Sequence, residues 1–447
     1  MPVDGDLIPI ILPSDHYQKV LDNPFGEAVL INDEWYAGPN RFFVHWSMVA
    51  VFRNFPLWLQ QFLDPVDSIY ASMAISKLLV QILLLILLAS LITGGGKWFS
   101  RNYLLAVFLV IPFFQNSGYY YNSMGIIDQS ITYTFFYALP VTFLVLYAYP
   151  FLFRHSWKWN WVKIVIWSIL TVTLPLGGTL VPGVVLVGAV TLILVTHSNL
   201  IKKGNQNGVE QWVKGLKLQW SGWHIFFATS MVMVSLYSLY IGRNNIEGLT
   251  DTLSTIDRYT LLPKGLIQLL SEKPSYLLFF LVITVNVFLI RKFVDSPLFF
   301  PILKWVGVFV LLYLLLLPLG GYRDYRPLII RRDTFLPVFL GLIVIYGYSS
   351  VILLNKLKGK TRLGYICLIG SFIMILTLAD ISELSNNHCE KHALETIAKS
   401  EKKVIALPED CTIMSWDIRE TSKSSKDLGE MLHHWRITKE LKTIYQD

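Results

Sequence analysis

Apolar residues in this chain come in long blocks separated by short polar stretches, with no sustained 2- or 3.6-residue alternation. Blocks of that kind predict helices that cross a bilayer, because a spanning segment must satisfy its own backbone hydrogen bonds. The first clear block is 72–94. Others follow at 103–114, 131–153, 161–175, 179–198, 221–241, 276–291, 302–319, 334–354 and 363–381, ten in all. Most are long enough, at about 1.5 Å per residue, to cross most of a ~30 Å hydrocarbon layer. The pair 161–175 and 179–198 is joined only by Leu176-Gly177-Gly178, so it reads as a re-entrant hairpin or two tilted helices. The predicted fold is an all-α polytopic membrane protein with three regions. Residues 1–70 form a first outside loop with short interfacial helices, 71–381 form the bundle, and 382–447 form a small α/β segment.

Composition sharpens this picture. Of 447 residues, 53% are hydrophobic and 15% are charged, against roughly 25% charge in a soluble domain. The net charge of +7 needs no nucleic-acid partner, since most of the excess lies in alternate short loops. Those loops carry Lys97 and Arg101, then Arg154, Lys158 and Lys163, then Lys202, Lys203, Lys214 and Lys217. Next come Arg291, Lys292 and Lys304, and finally Lys356, Lys358, Lys360 and Arg362. By the positive-inside rule these loops face the cytoplasm. Residues 1–70, 242–275, 320–333 and 382–447 then face outward. A 70-residue outward amino terminus needs a span before it, so an eleventh helix upstream is expected. Lys77, Lys163, Lys304 and Asp380 all read as lying near span ends, which argues against a charged transport path. The loop 242–275 balances Glu247, Asp251 and Asp257 against Arg243, Arg258 and Lys264, and reads as solvated or as a lid over an acceptor.

One stretch breaks the charge rule. Gly320-Gly321-Tyr322-Arg323-Asp324-Tyr325-Arg326-Pro327, running on to Arg331-Arg332-Asp333, sets four arginines on the outward side. Arginine grips phosphate bidentately and keeps its charge in a low dielectric. Asp4, Asp6 and Asp15 stand in the first outside loop, and Asp128 just before a span. A carboxylate facing guanidinium groups suits group transfer from a lipid phosphate, because it can take the proton of an attacking hydroxyl. A sugar phosphate is already activated as a leaving group, so one base is enough and inversion at the anomeric carbon is expected. A glycosidase, by contrast, needs two carboxylates. Cys389 and Cys411 lie in the outward tail, where an oxidising compartment permits a disulfide between them; the third cysteine, Cys367, lies within a span.

With its large first loop, outward aspartates and small outward tail, the chain resembles the GT-C superfamily of polyprenyl-phosphate-sugar-dependent glycosyltransferases. The string Gly320-Gly321-Tyr322-Arg323-x-Tyr325-Arg326-Pro327-x-x-Ile330-Arg331-x-Asp333-Thr334 is similar to one in bacterial membrane proteins of that kind. The resemblance implies a bacterial inner-membrane enzyme with its site facing the periplasm. Its donor would be a sugar on a polyprenyl phosphate, and its acceptor a glycan, lipid or protein. No Asp-Asp or Asp-Glu pair stands near the start of the first loop. By position, Asp6 is then the first choice of base and Asp15 the second. Asp128, Tyr322, Arg323, Tyr325, Arg326, Arg331 and Arg332 are the expected substrate-binding residues. No cofactor is required, and assistance by a divalent cation is left open. The competing expectation is a polymerase or ligase of polyprenyl-diphosphate-linked oligosaccharide, with a lipid or glycan transporter ranked below it.

Overall fold

The computed structural model describes residues 3–115, 130–154, 156–178, 180–202, 220–248, 253–320, 322, 327–380, 385–419 and 426–447. Eight of its helices are long and apolar enough to cross a membrane, and two shorter apolar helices, Arg101–Phe113 and Trp161–Thr173, complete the pattern read from the sequence. The chain is a multi-pass helical membrane protein.

Four helices precede the first long one: α1 (Leu7–Ile11), α2 (Asp15–Asp22), α3 (Glu27–Asn32) and α4 (Phe42–Leu59). On α4 the residues Val44, His45, Met48, Phe52 and Leu59 are buried, while Trp46 and Trp58 are exposed. That spacing is a one-sided helix. The first long helix, α5 (Pro65–Ile92), begins seven residues before the apolar block does. Asp64 caps it through Val66 N, with Pro65 at the first helical position where its missing N–H costs nothing. The polar first turns are covered by the tail, where Lys391 pairs with Asp67. Lys77 is buried twelve residues into α5, five residues after the apolar block begins.

Then come α6 (Arg101–Val110), α7 (Ile131–Leu152), α8 (Trp161–Thr173), α9 (Leu180–Lys202) and α10 (Gly222–Gly242). A 3-10 turn at Pro175–Gly177 joins α8 to α9, which are two separate helices. The region 242–275 contains α11 (Thr255–Glu272), largely exposed and opened by Ser254, whose hydroxyl accepts from Asp257 N. Gly265 on α11 packs directly on Ile330, where a Cβ would lie 3.0 Å from the Ile330 carbonyl oxygen.

The bundle closes with α12 (Ser275–Phe293), α13 (Phe299–Leu316), α14 (Arg332–Lys356) and α15 (Gly359–Ala379). Central to it is α14, buried on most of its surface and packed against α5, α6, α12, α13 and α15. Gly347 makes one of these approaches possible, since a Cβ there would meet Ile92 Cδ1 at 2.3 Å. Inside the bundle Asn286 donates to Ser349 and Ser350, and Tyr365 donates to Asn286. These groups satisfy one another, as buried polar atoms must.

The tail folds as α16 (His388–Lys399), β1 (Val404–Leu407), α17 (Lys426–His434) and β2 (Thr443–Gln446). Its two strands pair in parallel, with Ile405 opposite Ile444. Cys389 and Cys411 are joined by a disulfide. The tail has no separate core. Leu394, Ile397, Leu428, Met431 and Trp435 share one apolar cluster with Leu7, Ile8, Phe52 and Phe135. Trp435 donates to the Phe52 carbonyl at 2.8 Å, and Gln60 donates to the Trp435 carbonyl at 2.7 Å. Amino-terminal segment and tail therefore cap the same end of the bundle.

Candidate functional site

The capped end is organised by the first turn of α7. Ser130 and Thr132 hold the Asp4 carboxylate: Ser130 Oγ donates at 3.0 Å, Thr132 Oγ1 at 2.8 Å and Thr132 N at 3.2 Å. Asp6 N adds a fourth donor at 3.1 Å. Asp4 is buried, and this set of donors compensates its desolvation. On the same turn the Tyr133 ring carries the Arg332 guanidinium, 4.8 Å from the ring centroid. One helical turn thus meets both the acidic segment and the basic start of α14.

Directly after it, Thr134–Ala138 is a π-helical turn. Pro140 explains the irregularity, because its ring cannot sit over a regular preceding turn and it donates no hydrogen bond. Such widened turns are frequent at functional sites. Tyr133 and Tyr137 stack at 5.6 Å, while Phe136 meets His45 at 5.2 Å.

Lys273 stands between α11 and α12, close enough to Arg332 to feel its charge. Burial lowers the Lys273 pKa; the neighbouring Glu272 raises it and the Arg332 charge lowers it further. Arg331 differs in role from Arg332. Its Nε and Nη2 grip Asp333 bidentately at 3.0 and 2.9 Å, which fixes the start of α14. Tyr322 is half-buried. Asp128, Arg323, Tyr325 and Arg326 lie outside the described residues.

Asp6 and Asp15 separate clearly. Asp6 is half-buried, and its Oδ1 accepts from Trp416 Nε1 of the tail at 3.0 Å. Asp15 is exposed on the first turn of α2. Among the described residues no three His, Cys, Asp or Glu side chains converge as metal ligands.

Sequence reasoning missed a second cluster. His45 is only 2% exposed and lies between the rings of Tyr17 and Phe136, each at 5.2 Å. Among the described residues its Nδ1 has no hydrogen-bond partner. One turn earlier Arg41 pairs with Glu247 at 2.9 Å. The loop bearing Glu247 is pinned by Tyr36, whose N–H donates to the Asn244 carbonyl and whose carbonyl accepts from Ile246 N. Burial, then the Arg41 charge, pulls the His45 pKa down to about 3. A depressed histidine contributes stability that is fully present above its unfolded pKa of about 6.5 and is lost as pH falls toward the folded value. Between pH 7.5 and 5 the loss is expected to be about 2 kcal/mol. Thermal unfolding across that range should show the slope in the wild type and a flatter one in His45→Phe; equal slopes would refute the assignment.

Comparison with protein-family models, with curated proteins and with solved structures finds no match to this chain.

Proposed function

We propose that the chain is an inverting glycosyltransferase that takes a sugar from a polyprenyl-phosphate carrier. It would pass the sugar to a glycan, lipid or protein acceptor at the periplasmic face of a bacterial inner membrane. The observation that carries this reading is the first turn of α7, which gathers Asp4 and its neighbour Asp6 on one side and Arg332 on the other. Carboxylate and cation meet at the capped end of the bundle, where this reading puts the lipid headgroup.

In this scheme an acceptor hydroxyl attacks the anomeric carbon from the face opposite the phosphate. The carbon–oxygen bond to phosphate breaks with its electron pair, and polyprenyl phosphate leaves. Asp6 takes the hydroxyl proton. Arg332 and Lys273, together with Arg323 and Arg326, stabilise the departing phosphate. Tyr133 and Tyr137 offer flat faces for a sugar ring. Arg331, committed to Asp333, orients the helix and does not grip the donor.

The test is to incubate the purified chain in lipid nanodiscs with polyprenyl-phosphate sugars and to measure release of polyprenyl phosphate. Release that depends on Asp6 supports the proposal. Turnover confined to polyprenyl-diphosphate oligosaccharides would replace it with the polymerase or ligase reading.

A further inference from the structure

Contacts at Val3, Gly5 and Asp6 join the tail to the segment that bears Asp6. Glu390, buried at the start of α16, accepts from Val3 N at 2.9 Å and Tyr70 Oη at 3.0 Å through Oε2, and from Met414 N at 2.9 Å through Oε1. Trp416 Nε1 donates to Asp6 Oδ1 at 3.0 Å. Gly5 lies directly under Trp416, where a Cβ would sit 2.6 Å from Trp416 N and 2.7 Å from Cδ1. Only glycine leaves room for that approach. The Cys389–Cys411 disulfide links the neighbour of Glu390 to the strand of chain that leads to Met414 and Trp416.

Two further details show that this contact is built rather than incidental. Met414 is held at φ 49°, a left-handed conformation that a residue with a Cβ adopts only when its surroundings impose it. Its N–H is fixed in that turn by Glu390. Trp416 remains 53% exposed, so its indole is not needed to fill a core. What the side chain does provide is a directed donor to a carboxylate.

We infer that the tail completes the site. Trp416 is a positioning residue that orients the Asp6 carboxylate, and the disulfide and Glu390 fix where Trp416 stands. The role in transfer rests on the reading of Asp6 as base; the clamp itself does not.

The experiment uses the full chain in nanodiscs with two readouts, hydrogen exchange and transfer. Trp416→Phe keeps a ring over Gly5 and removes the donor. The expected result is at least fivefold faster exchange in residues 3–11, with residues 388–399 unchanged. Transfer should lose about tenfold in kcat with the donor KM unchanged, and Trp416→Phe should have no further effect in an Asp6→Asn background. Unchanged exchange in residues 3–11 would overturn the clamp, as would equal loosening of residues 388–399. An equal loss of transfer in the Asp6→Asn background would overturn the positioning role. Wild-type transfer by Asp6→Asn alone would refute the base assignment, and the exchange result would still decide the clamp.

Discussion

Asp6→Asn is expected to lower transfer about a thousandfold, because a positioned general base contributes roughly 10²- to 10⁴-fold. Asparagine keeps the shape of the side chain and still offers an oxygen to the Trp416 indole, so the fold should survive. Asp15→Asn, on an exposed helical turn, should lower transfer less than tenfold in the same assay of polyprenyl phosphate release. Asp4 is not an alternative base, for its two oxygens already receive Ser130, Thr132 and the Asp6 amide. The order of loss, Asp6 far above Asp15, is the diagnostic. If Asp15→Asn were the more damaging, the base would have to be reassigned to α2.

Glu390→Ala is expected to destabilise the cap by at least about 3 kcal/mol, since leaving a buried donor unsatisfied costs about 1–3 kcal/mol and three donors would be left without it. Val3 N, Met414 N and Tyr70 Oη all converge on this carboxylate from separate parts of the chain. Burial pushes the Glu390 carboxyl up, although the two backbone donors and Tyr70 pull it down. A raised carboxyl favours the folded state below its unfolded pKa, and that contribution is lost as pH rises through the folded value. Relative to Glu390→Ala, the wild type should therefore gain stability as pH falls through mildly acid values, on top of the His45 slope that both share. A loss below about 1 kcal/mol would mean that the tail is held by its apolar contacts alone.

The apolar helices were legible because a bilayer demands uninterrupted apolar length, and their positions follow the blocks closely. The tail was partly legible. Its two helices and first strand could be read, while Thr443-Ile444-Tyr445-Gln446 is too short to announce a strand without its partner at 404–407. Long-range contacts were not legible. Nothing near Asp4 in sequence indicates that its partners are Ser130 and Thr132, and nothing near Glu390 points to Val3. His45 is buried although Trp46 and Trp58 on α4 face outward, because its own side of the helix meets Tyr17 and Phe136. A local signal was available for α11, the Ser254-x-x-Asp257 capping pair, which outweighs the mixed charge of that region. The sequence pattern marked where apolarity starts and not where the helix does, so α5 begins seven residues earlier than the block.

The central claim is that cations at the capped end hold a lipid-borne phosphate beside the acidic segment. Its most direct test is binding of polyprenyl phosphate to the purified chain and to two variants, Arg332→Ala and the double variant Arg323→Ala/Arg326→Ala. Each variant should bind at least about tenfold more weakly, as expected for loss of a charge-assisted contact to phosphate, while Asp6→Asn binds as the wild type does. Equal affinity in the wild type and both arginine variants would contradict the account.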